Sequence, residues 1–269
     1  MRVLTRQAAV AGLFYPGEPA RLRRDIEGWL ARPARAREKA LGVMVPHAGY
    51  VYSGAVCGHA LASVEITPRV LILHTKHQAG GGPLSLAQFD AWETPLGDVP
   101  ADAELGAAMA RISSITISNA PHTRDHAAEV VLPFLRVIRP DVQVAVISVG
   151  AFDTHALDQL GADVAAAIKG VGGALMVSSS DMNHYDSHEI TLAKDELALK
   201  QLAAFEPEKM LAVCELEEVT MCGAYATALM LKAAKSLGAR RVEILEHTTS
   251  GPTSGDYDQV VGYASARVL

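Results

Sequence analysis

The chain reads as an α/β protein with a central, mixed or mostly parallel sheet flanked by helices, and three observations carry that reading. Short runs of Val, Ile, Leu and Met recur along it, several of them continuous rather than alternating, as strands covered on both faces require. Longer amphipathic stretches separate those runs. With 269 residues, 49% hydrophobic and 20% charged, the chain is long enough for a large core. It has no repeat, low-complexity tract or Pro/Ser-rich linker, so one domain over 1–269 is expected.

Taken in order, the first helix at 19–31 places Leu22, Ile26, Trp29 and Leu30 on one stripe. The run 41–45 is the first core strand and leads into Pro46-His47, with Gly49 and Gly54 close behind. Glycine there lets backbone approach a ligand closely. A small-residue helix around Cys57 follows. Strand 69–73 leads into His74-Thr75-Lys76-His77. Helices are expected at 100–112 and 127–138, the second introduced by Asp125 and His126. Strand 142–150, helix 154–170 and strand 174–180 come next, the last opening onto Asp181 and His184. Helices at 190–204, 207–216 and 222–238 follow, with Gly238 as the stop. Strands 241–245, followed by Glu246-His247, and 260–268 close the chain.

Composition excludes several classes. The net charge is −6 with no basic tract, so nucleic acid is not expected as a partner. No window approaches about 18 uninterrupted apolar residues, so no membrane span is expected. The N-terminal stretch lacks the apolar core of a signal peptide, and a cytoplasmic protein is expected. Oligomerisation, including a homo-oligomer, is left open. Three cysteines are too few for a disulfide framework. Cys57 and Cys214 fit packing positions, whereas Cys222 stands where a helix begins, and a helix N-terminus lowers a thiol's pKa.

Ligands of open α/β sheets bind beyond the carboxyl ends of the strands. His47, His74, His77, His184 and His247 all follow strand runs, and parallel strands would bring them together. Singly, each reads more readily as a hydrogen-bonded structural histidine than as a ligand; their convergence favours a site. Asp181 and His184 are either a helix cap with its first-turn partner or a pair in the cleft. His126 and Glu129, three residues apart, either start a helix or project into the same cleft.

The blocks RQAAVAGLFYPG (6–17), PHAGYVYSG (46–54), DHAAEVVLPFL (125–135), SSSDMNHY (178–185), CGAYAT (222–227) and SGDYDQVVGYAS (254–265) resemble the Memo family, in family order and over nearly the whole chain. Bacterial and archaeal members are often labelled AmmeMemoRadiSam system protein B. The resemblance implies a fold similar to the class III extradiol, non-haem Fe(II) dioxygenases. It implies metal ligands at His47, His77 and Cys222, with Asp181, His184, Tyr52, His126 and Glu129 near the site. One departure stands out: members usually carry Gly-Pro-Asn-His or Gly-Pro-Ser-His after the second strand, where this chain has His74-Thr75-Lys76-His77. His74 then competes with His77 as ligand, and Lys76 either pairs with an anionic substrate or points to water.

Two imidazoles and one anionic donor with open positions suit a non-haem Fe(II) oxygenase, while a thiolate makes Cu(I) or Zn plausible competitors. The expected activity is that of a metal-dependent oxidoreductase that joins O2 to a small aromatic or heteroaromatic substrate. In it His184, oriented by Asp181, does acid–base work and Tyr52 hydrogen-bonds an oxygen. The alternatives are a metal-carrying redox-regulatory or peptide-binding protein, a zinc hydrolase, and a cysteine hydrolase with Cys222 as nucleophile.

Overall fold

The continuous apolar runs are strands buried on both faces, and the alternation of side chains along each strand divides them between two layers. In a computed structural model, which describes residues 3–269, Met44, Leu71, Leu73, Ile147 and Met176 enter one hydrophobic layer. Val43, Val45, Val70, Ile72, Val144 and Val177 enter the other. Helices Ala103–Met109, Leu157–Gly170, His188–Ala203, Pro207–Leu216 and Ala224–Leu237 cover the first layer. Helices Pro19–Leu30, Tyr50–Ala62 and Leu132–Ile138 cover the second.

The strands form a nine-stranded mixed sheet. Its centre is parallel, in the spatial order Gly42–Val45, Leu175–Ser179, Arg69–Thr75, Gln143–Val149. Val260–Val268 flanks Gly42–Val45 antiparallel and also pairs with Val242–Thr249 and His184–Asp186. On the far side, Leu84–Leu86 adds antiparallel to Gln143–Val149, and Ile115–Ile117 adds parallel to Leu84–Leu86. Thr5–Arg6, Ala91–Trp92 and Val99–Pro100 form a separate small sheet. Gly238, at φ 103°, ends helix Ala224–Leu237 as its sequence position implies. No helix among the described residues is long and apolar enough to cross a membrane.

Four boundaries differ from expectation in ways that matter. The strand expected at 69–73 continues to Thr75, so His74 lies inside the sheet rather than in the loop beyond it. The strand expected at 241–245 continues to Thr249 on the outer side of Val260–Val268, so that strand stands between His247 and the parallel centre. Helix Leu132–Ile138 starts later than residue 127, with Pro133 in its first turn, where a missing N–H costs nothing. Asp181 and His184 lie in a loop and a short strand, not on a helix.

Helices Pro19–Leu30 and Tyr50–Ala62 meet through glycine. A Cβ on Gly58 would stand 2.6 Å from Trp29 Cβ, and one on Gly54 2.6 Å from the Trp29 ring. Replacing glycine by alanine in a helix interior ordinarily gains about 1 kcal/mol. Gly58→Ala should instead lower stability by about 1–3 kcal/mol through overpacking against Trp29, read from urea unfolding midpoints.

Candidate functional site

The parallel centre carries sequence-distant loops to one edge of the sheet, and a cleft of about 690 Å³ opens there. His47, His77, His126, Asp181, His184 and Cys222 line it, with Phe14, Tyr52, Tyr185 and Thr220. Each of three histidines is held by the same device. His47 Nδ1 lies 2.8 Å from Ser179 Oγ, whose own proton goes to Ala127 O at 2.6 Å. The imidazole must therefore donate from Nδ1, which leaves the lone pair on Nε2. His77 donates from Nδ1 to Asp125 Oδ1 at 3.2 Å, and its backbone N–H reaches Asp125 Oδ2 at 3.0 Å. His184 donates from Nδ1 to Thr220 O at 3.1 Å. A ring whose Nδ1–H is fixed by an oxygen acceptor offers Nε2 to a proton or a cation.

His126 stacks on His77 with ring centroids 4.7 Å apart and planes 9° apart, and packs on Phe14 at 4.6 Å. The ligand atoms of His47, His77 and His126 lie within 4.8 Å of one another, so these residues could hold a metal ion. Cys222 is next to this group: its Sγ lies 3.3 Å from His47 Nε2 and accepts the Asp181 N–H at 3.3 Å. Asp181 Oδ1 accepts the His47 backbone N–H at 2.7 Å.

Burial sets the charge states. It pushes His47 well below the ordinary histidine range, with His77 adding to it, and takes His126 down to about 4. Asp181 is raised by the same cause. Burial opposes ionisation of Asp125 too, yet the hydrogen bond from His77 and the charge of His74 and His77 together hold its carboxyl well below the usual range. The Cys222 thiol is pushed up, first by burial and then by Asp181. The lowering expected from a helix N-terminus does not win, because Cys222 precedes the cap residue Gly223 and is largely withdrawn from water.

Several residues expected at the cleft lie elsewhere. Glu129 is fully buried against Arg6, and its carboxylate also accepts from Tyr15 Oη at 2.7 Å and from the backbone of Ala9 and Val10. Its role there is to anchor the N-terminal segment. His74 is buried behind the site, with Nε2 3.0 Å from His122 Nδ1. His247 donates to Asp195 at 2.9 Å, on a strand that Val260–Val268 separates from the parallel centre. Lys76 donates to Gly82 O at 2.8 Å and faces a separate cavity. The oxygen that orients His184 belongs to Thr220, not Asp181. Sequence reasoning missed Phe14, Ser179, Tyr185 and Thr220; only Phe14, Ser179 and Tyr185 fall inside the blocks that carry the family resemblance.

A family model described as Memo-like protein matches residues 6–267. MEMO1 family proteins of Pyrobaculum arsenaticum and Ignicoccus hospitalis are 35% and 36% identical, covering 98% of this chain and 98% and 99% of their own. That of Saccharolobus solfataricus is 37% identical over 98% of this chain and 99% of its own. Among solved structures, the uncharacterized protein JW3007 from Escherichia coli K12 superimposes with a TM-score of 0.57, covering 86% of this chain and 100% of its own, at 12% identity. At that identity the likeness concerns the α/β fold alone.

Two outcomes test this geometry. Glu129→Gln leaves the Arg6 guanidinium buried without its counter-charge and should cost about 3–5 kcal/mol of stability in chemical unfolding. The second concerns pH. His126 is depressed from 6.5 to about 4 and His122 from 6.5 to about 3, burial being the main cause of each. The unfolded chain therefore takes up protons first as pH falls, so the stability these groups contribute is complete above about 6.5 and is lost toward 4 and 3. Thermal unfolding of metal-free protein should shift steadily down across that window; a flat profile between pH 7 and 4 contradicts the assignment.

Proposed function

The chain belongs to the Memo family, and from that premise we propose that the cleft is a metal-dependent oxidoreductase centre, with Fe(II) as the metal and a small aromatic or heteroaromatic molecule and O2 as substrates. The observation that carries this reading is the shared anchoring of His47 and His77. Both donate Nδ1–H to a buried acceptor and keep the lone pair on Nε2, as metal-binding histidines do. The donor set fits a metal: two such imidazoles, a third in His126, and the Cys222 sulfur against His47. Held by these residues, Fe(II) would supply one-electron chemistry toward O2.

The remaining residues have work that does not depend on that ion. His184, with Nδ1 occupied by Thr220 O, takes up or releases a proton at Nε2. Asp181, raised by burial and bonded to the His47 N–H, fixes the loop between the two strand ends. Tyr52, on the first turn of Tyr50–Ala62, brings a phenol to the cleft wall where it hydrogen-bonds a substrate oxygen. Phe14 and the stacked His126 line one side and keep water off the reacting atoms.

The deciding measurement is the metal content of anaerobically purified protein and of its variants. Wild type should hold about one iron per chain, and His47→Ala and His77→Ala should lose it. Asp125→Ala, which frees the His77 ring, should weaken binding by about 10–100-fold. Fe(II)-loaded wild type should consume O2 with a member of a catechol panel. Retention of iron by both histidine variants sinks the metal-centre reading; iron without O2 uptake favours a non-catalytic metal carrier.

A further inference from the structure

We propose that Tyr185 is a substrate-contacting residue whose ring stacks on a flat aromatic substrate in the cleft; the inference rests on the metal-dependent reading above. The backbone gives the first reason. Among the described residues, Tyr185, Phe205 and Glu218 are the non-glycine residues with positive φ. Phe205 and Glu218 each stand one residue past the cap of a helix, at the end of His188–Ala203 and of Pro207–Leu216, where a left-handed residue commonly stops the helix. Tyr185, at φ 67°, ends no helix. It is the extra residue of a bulge: His184 pairs with Val261 and Asp186 with Val260, which leaves Tyr185 unopposed. Bulges of this kind turn a side chain toward a site.

The strain is held in place from both sides. The His184 N–H donates to Thr220 Oγ1 at 2.8 Å, and Asp186 Oδ2 accepts from Asn183 Nδ2 and Lys194 Nζ, each at 2.8 Å. Backbone strain enforced by its neighbours clusters at functional sites.

The side chain gives the second reason. Tyr185 is 73% exposed, so its ring contributes little to the core, and it makes no hydrogen bond among the described residues. It nonetheless lines the cleft, with its ring centroid 5.7 Å from that of His184. Phe14 and Tyr52 line the same cleft. Aromatic walls above a cluster of imidazoles select a flat ring that stacks, carrying an oxygen toward the histidines.

The test uses Zn(II)-loaded protein, which does not consume O2, titrated with 4-nitrocatechol and followed by the absorption shift of the probe. Tyr185→Phe should bind within about twofold of wild type, while Tyr185→Ala and Tyr185→Gly should bind about three- to tenfold more weakly. Tyr185→Gly relieves the left-handed backbone and should raise the melting temperature while weakening binding, which separates the ring's role from the fold's. Binding as tight as wild type by the alanine and glycine variants overturns the role of Tyr185 and leaves the metal reading standing. So does a lower melting temperature for Tyr185→Gly. Metal-loaded wild type that does not shift the probe overturns the aromatic substrate and Tyr185 together, and failure to take up metal overturns the metal-dependent reading beneath both.

Discussion

The buried carboxylate of Asp125 is the interaction on which the site depends. Its two oxygens accept the His77 backbone N–H, the His77 ring and the Ala127 N–H, so one group fixes both the path of the loop after Arg69–Thr75 and the tautomer of its histidine. The backbone oxygen of Asp125 is in turn gripped by Arg6, whose charge is met by Glu129. Glu129 holds the N-terminal segment through Ala9, Val10 and Tyr15. The segment 6–15, a mid-chain loop and a strand end are thus tied into one polar cluster whose charged groups, Arg6, Asp125 and Glu129, are buried. A buried charge of either sign is tolerable only because each has a partner and each partner's remaining donors are used. That completeness is why the cleft can keep several imidazoles with free lone pairs beside it.

Much of the fold was legible because burial on two faces writes itself into a sequence. Runs such as LGVMV, RVLIL and VQVAVISVG cannot be surface strands, and helices between them must cover both sides. The short strands Leu84–Leu86, Ala91–Trp92 and Ile115–Ile117 carry no such signature. They are two or three residues long and owe their conformation to the partner they pair with. Strand ends were harder for a related reason. Periodicity stops at Leu73 and Leu245, but pairing with Gln143–Val149 and Val260–Val268 carries both strands further.

Those two extensions explain most of what was misplaced in the site. Proximity to an apolar run identified His47, His77 and His184, which follow strands that end at the cleft. The same rule selected His74 and His247, and it failed there because the strand extension puts His74 within the sheet, while Val260–Val268 stands between His247 and the parallel strands and the His247 ring is bonded to Asp195. Helical spacing paired His126 with Glu129, but the chain between them is a loop entering a 3-10 turn, so the two side chains diverge. The oxygens that orient the rings, Ser179 Oγ and Thr220 O, come from ordinary residues. Nothing in their type or spacing sets them apart; only tertiary position gives them their part.

The departure at His74-Thr75-Lys76-His77 now has a physical account that needs no substrate. His74 finds its partner in His122, which passes its own Nε2 proton to Ser85 O at 2.9 Å, so the added imidazole is absorbed into a buried chain of hydrogen bonds. Lys76 spends its ammonium on Gly82 O, and on Gly81 O at 3.4 Å, within a glycine turn where Gly80 and Gly81 take positive φ. Residues 74 and 75, where the resemblance would have Gly-Pro, continue the strand, and Lys76 reaches forward to the carbonyls of the glycine turn. With its charge committed there and its side chain facing a different cavity, Lys76 has no anion to recruit at the histidines. Under the proposed function, recognition of a substrate falls to the groups that do face the cleft, the imidazoles and the aromatic rings around them.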